Sequence, residues 1–116
     1  KKLLYTSTMK PKLAVLLYGL EEDKAILKEI MDKLQSQLDQ MPHDEVDVVF
    51  YTDNGETSVD EKKSWLIGQT ESKHYVFVDK TTPLPDNFML YRLNFVKNLR
   101  PTRDLINLGI FQKDVN

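Results

Sequence analysis

The chain has 116 residues, no cysteine and a formal net charge of −2, which excludes a disulfide framework and a thiolate metal site. Sixteen Lys and Arg against 18 Asp and Glu leave no basic footprint for nucleic acid or an anionic membrane. The longest apolar run, residues 13–17, is far short of the ~20 residues a membrane-spanning helix needs, while a domain of this length buries roughly 65% of the surface its unfolded chain exposes. One cytoplasmic domain over residues 1–116 is the expectation. No signal peptide is legible, because no apolar stretch follows Lys1 and Lys2. Residues 1–11 read as an upstream remnant or an extra edge strand.

Lys12 to Tyr18 is apolar without alternation, as in a strand buried on both faces. Gly19 ends it, and a helix is predicted over Glu21–Gln40. Leu27, Ile30, Met31, Leu34 and Leu38 form one stripe at helical spacing. Glu21, Glu22 and Asp23 are placed in its first turn, where the helix dipole favours acidic groups. After a loop at residues 41–44, Val46–Thr52 is a second strand of the buried type. Asp53-Asn54-Gly55 is a turn, and Ser58 with Glu61 forms a capping box that starts a helix near Val59.

His74–Asp79 is the third apolar run. Two prolines, Pro83 and Pro85, make the next segment a loop. Asp86 is expected to cap a helix carrying Phe88, Met89, Leu93 and Val96 that ends before Pro101. Residues 105–111 fit a short strand or a short helix. Alternation of strand and helix predicts a three-layer α/β domain with a mostly parallel central sheet. Asp53 and Asp79 then stand at the carboxyl ends of two strands, where open α/β sheets bind ligands. His43 and His74 lack a metal-ligating partner at useful spacing. Tyr91, Phe95 and Phe111 exceed what a small helix needs to bury and are candidates for an interaction surface toward a protein partner or a second copy of the chain.

The run D-N-G-E-x-S-x-x-E-K-K-x-x-L over residues 53–66, followed by Y-V-F-V-D over residues 75–79, resembles the nucleotide-binding half of family-2 glycosyltransferases with the GT-A fold. The resemblance covers residues 12–93 and leaves residues 94–116 as a C-terminal extension. It implies a Rossmann-like domain and a nucleotide-diphosphate sugar as ligand. Asp53, with Asn54 and Gly55, matches the position that recognises the base. Lys62 and Lys63 match the basic pair near the diphosphate, beside a helix N-terminus that favours phosphate. Asp79 opens the position of the D-x-D motif, which holds Mn²⁺ or Mg²⁺ through paired carboxylates.

Here that motif reads Asp79-Lys80-Thr81. The second carboxylate is absent and an ammonium stands beside the site. No metal cofactor is therefore expected unless Asp79 suffices alone. The family's acceptor half and its general base have no counterpart among the 37 residues after Asp79. Two readings remain. The favoured one is a catalytically silent domain used for binding, structure or assembly. The alternative is a small metal-independent transferase in which Lys80 replaces the metal's charge. The phrase D-N-G-E-x-S is similar to bacterial and bacteriophage versions of the family, which implies a virion component as one setting for the favoured reading.

Overall fold

The computed structural model describes residues 2–5 by their backbone, together with residues 11–98 and 100–113, His43 by its backbone only. Among the described residues five strands form one sheet: β1 (Lys2–Tyr5), β2 (Leu13–Leu20), β3 (Val46–Asp53), β4 (His74–Val78) and β5 (Ile110–Gln112). Their order is β1-β3-β2-β4-β5. The central β3, β2 and β4 run parallel, as their unalternating apolar sequences predict. The edge strands β1 and β5 pair antiparallel, so the N-terminal segment supplies an edge strand.

Among the described residues four α-helices flank the sheet: α1 (Lys24–Leu38), α2 (Val59–Ile67), α3 (Phe88–Lys97) and α4 (Thr102–Asn107). Leu13, Val15 and Leu17 of β2 point to one face, where they meet Leu27, Ile30, Leu34 and Leu38 of α1, Met89 and Leu93 of α3 and Leu105 of α4. Ala14 and Leu16 point to the other face and meet Leu66 of α2. This strict alternation makes β2 apolar throughout. The chain moves from β2 to β3 on one side and then back across β2 to β4 on the other. Crossovers of one hand must then lie on opposite faces, and β2/β4 becomes the switch point of the sheet. Among the described residues no helix is long and apolar enough to cross a membrane.

Several details depart from expectation. Residues 21–23 form a 3-10 turn ahead of α1, so the first turn of α1 carries no acidic residue. The carboxylates of that turn make long-range bonds instead: Glu21 accepts from the Thr52 hydroxyl and Asp23 pairs with Lys80. Asn87, not Asp86, occupies the N-cap of α3, and it makes no side-chain cap bond. The tail contains both α4 and β5, joined through Gly109, whose φ of 73° suits glycine at low cost.

Leu34 is fully buried between α1 and the sheet. Leu34→Ala should lower the unfolding free energy by about 2–5 kcal/mol, measured by urea denaturation. Ser58→Ala, which removes one half of an intact capping box, should cost about 1 kcal/mol.

Candidate functional site

A cleft of about 370 Å³ opens at the carboxyl ends of β2 and β4, beside the start of α2. Tyr18, Gly19 and Leu20 come from β2, Asp79, Lys80 and Thr81 follow β4, and Thr57, Ser58, Val59 and Lys62 come from the approach to α2 and its first turns. Asp23 closes the remaining side. The cleft thus lies at the switch point between β2 and β4, with the start of the β3-to-β4 crossover at its rim.

Its floor depends on Lys62. This side chain is only 3% exposed; its ammonium lies 2.9 Å from Asp53 Oδ1 and donates to the Gly19 carbonyl at 3.2 Å. The capping box at Ser58 sets the first turn of α2, and Lys62 shares a helix face with Leu66, four residues on and fully buried. Lys63 turns elsewhere and is not among the residues lining the cleft. Its ammonium sits 4.9 Å from the ring centre of Phe77 and 5.6 Å from that of Tyr18, a cation–π arrangement.

Asp53 serves its own turn. Oδ1 accepts from the Gly55 N–H and Oδ2 from the Thr57 N–H, while Gly55 adopts φ 95°, a conformation glycine tolerates. The Asn54 N–H is held by Glu56. Desolvation pushes the Asp53 carboxyl upward, but the Lys62 ammonium, then the Gly55 and Thr57 bonds, outweigh it and hold the pKa at about 2. Asp53, Asn54 and Gly55 do not line the cleft. Asp53 influences it through Lys62.

Asp79 is similarly occupied. Its Oδ1 accepts from the Thr81 N–H, the Thr81 hydroxyl and the Thr82 hydroxyl, and its Oδ2 from the Tyr18 hydroxyl at 3.1 Å. Desolvation opposes ionisation of Asp79, yet the Thr81, Tyr18 and Thr82 bonds lower its pKa below the usual value. Desolvation and the adjacent Asp79 charge raise that of Tyr18. Lys80 reaches across the cleft to Asp23 at 3.1 Å. The donor set does not fit a divalent cation: Asp79 offers one carboxylate already bonded to three side chains, and Lys80 adds like charge. Among the described residues no group of three or more His, Cys, Asp or Glu is placed to hold a metal ion.

The aromatic candidates fall on two separate surfaces. Tyr91 and Phe95 lie together on α3, ring centres 5.0 Å apart, with Tyr91 exposed. Phe111 is exposed on β5 and packs against Tyr75 and Phe77 on the α2 side of the sheet. Period-two alternation sends Ile110 into the core beside α3 and α4 and Phe111 to the opposite face. Tyr18, Asp23, Thr81 and Thr82 are site residues that the sequence reading missed. The strand-end rule, applied to the first strand as well, would have found Tyr18. No local signal marks the Asp23–Lys80 pair. Comparison with known proteins gives no matching family model, curated protein or solved structure.

Removing one member of a buried ion pair strands the other, and the two members are not equivalent here. Asp53→Ala leaves a buried ammonium with only the Gly19 carbonyl, whereas Lys62→Met leaves a carboxylate still bonded to two backbone N–H groups. Asp53→Ala should therefore lower the melting temperature more than Lys62→Met. The depressed pKa of Asp53 implies stability that is full above its ordinary 3.8 and is lost as pH falls through about 2. Thermal melts between pH 4 and pH 2 should show a shallower acid loss in Asp53→Asn than in the wild type. Asp79, shifted in the same direction, keeps part of the slope.

Proposed function

We propose that the chain is a GT-A-like domain of family-2 glycosyltransferase type in which transfer has been lost, and that it acts as a binding and assembly module. The resemblance of residues 53–66 and 75–79 supports the family. The cleft at the β2/β4 switch point supports a retained binding site. One observation carries the loss of transfer: every ionisable side chain that lines the cleft is engaged within the chain itself. Catalysis of diphosphate departure requires positive charge aimed at the leaving group. Lys62 is buried against Asp53, Lys63 covers aromatic rings outside the cleft, and Lys80 is paired with Asp23. The metal-independent alternative needs an unpaired Lys80, so its strongest support is weakened by that pair.

In this reading a nucleotide-diphosphate sugar binds weakly or not at all, no divalent metal is used, and contacts with a protein partner or a second copy fall to the exposed rings. Phe111 with Tyr75 and Phe77 forms one such patch, and Tyr91 with Phe95 the other. Losing one preorganised electrostatic stabiliser costs about 10²–10³ in rate, and losing a general base roughly another 10²–10⁴.

Incubation with radiolabelled nucleotide sugars, with and without Mn²⁺, should release no sugar above the protein-free blank. Turnover that disappears in Lys80→Ala would establish the metal-independent transferase instead.

A further inference from the structure

We propose that the switch-point cleft takes an uncharged, hydroxyl-bearing ring, a nucleoside or a pyranose, and discriminates against the diphosphate group. This rests on the binding-module reading and adds a ligand class to it. The volume, about 370 Å³, is in the range of small-molecule sites. Tyr18, Leu20 and Val59 give it apolar walls, and Thr57, Ser58 and Thr81 border it, their hydroxyls bonded to Tyr51, the Glu61 N–H and Asp79 with capacity for one further bond each. Such a surface suits a ring with an apolar face and a hydroxyl rim.

The charges point the same way. The charges lining the cleft balance, Lys62 and Lys80 against Asp23 and Asp79, and Lys62 is held by Asp53 from outside it, so no net positive charge is left to meet a diphosphate. Asp60 and Glu61 add negative charge to the first turn of α2, and the Glu61 N–H is already taken by Ser58. The helix N-terminus that would otherwise attract phosphate is thus offset. Lys62 cannot turn outward without leaving Asp53 behind. Lys80, about half exposed, could serve a phosphate only by releasing Asp23. A diphosphate entering this site meets no unpaired cation, and a charge without a partner is costly to desolvate. A neutral ring displaces none of these pairs.

The test is an amide NMR titration of the whole chain with uridine, methyl α-glucoside and UDP, each with and without Mg²⁺. Uridine or the glucoside should shift amides of residues 57–62 and 79–81 in a saturable way, and which of the two does so identifies the source of the ring. UDP should bind no tighter than uridine, and Mg²⁺ should not change this. Val59→Trp, which fills the cleft from an exposed position, should remove the shifts while the melting temperature stays within a few degrees. Asp23→Asn frees Lys80 and should improve UDP relative to uridine by about fivefold, the effect of one added unit charge at ~4 Å in water. UDP binding tighter than uridine in the wild type, or no saturable shift with either neutral ring, would overturn the assignment. Diphosphate preference without donor turnover removes only the ligand class, whereas donor turnover removes the binding-module reading itself.

Discussion

The Lys62 ammonium, buried between Asp53 and the Gly19 carbonyl, is the interaction on which the carboxyl edge of the sheet depends. It joins the end of β2, the end of β3 and the second turn of α2 at one point. Burying an ammonium costs several kcal/mol in general, and this site offsets the cost with a carboxylate and a carbonyl. On the other face β2 passes close beneath α1 at Gly19, where an added Cβ would come within 2.7 Å of Leu27 Cδ1. Once Lys62 is anchored, the rotation of α2 is set. Leu66 then meets Ala14 and Leu16, and Val59 and Ser58 border the cleft.

The same anchoring has a chemical consequence. The Lys62 charge is engaged within the fold. Lys80 and Asp23 repeat the pattern across the cleft, and Asp79 repeats it with Tyr18, Thr81 and Thr82. What remains is a space bounded by side chains whose electrostatic demands are met from within. In the binding-module reading we propose, such a site holds a ligand by shape and hydroxyl contacts rather than by stabilising charge that develops in a transition state.

Much of this was legible in the sequence. Unalternating apolar runs gave β2, β3 and β4, because strands buried on both faces need no polar side. The Ser58–Glu61 spacing gave the start of α2, and the strand-end rule gave Asp79 after β4, whereas the facing wall belongs to β2 and not to Asp53 at the end of β3. Other features were not legible, for identifiable reasons. Lys62 and Lys63 are neighbours of one residue type, separated by about 100° around the helix, so composition cannot separate the buried one from the one over Phe77. The spacing of Lys62 to Leu66 contains the answer, but only once Leu66 is known to face the sheet. The Asp23–Lys80 pair joins residues far apart in the chain and leaves no periodic trace. α4 and β5 are too short for periodicity to distinguish them. Placing Tyr91, Phe95 and Phe111 on one surface failed because β5 returns the chain to the sheet and alternation then sends Phe111 to the far side.

The most direct test of the closed Lys62–Asp53 pair is a carboxyl-detected NMR titration of Asp53 in the wild type and in Lys62→Met. The account predicts an Asp53 pKa of about 2 in the wild type, with a clear rise when the ammonium is removed. A wild-type Asp53 that titrates near its ordinary 3.8, unchanged by Lys62→Met, would contradict it, because the lysine would then be free to serve a ligand in the cleft.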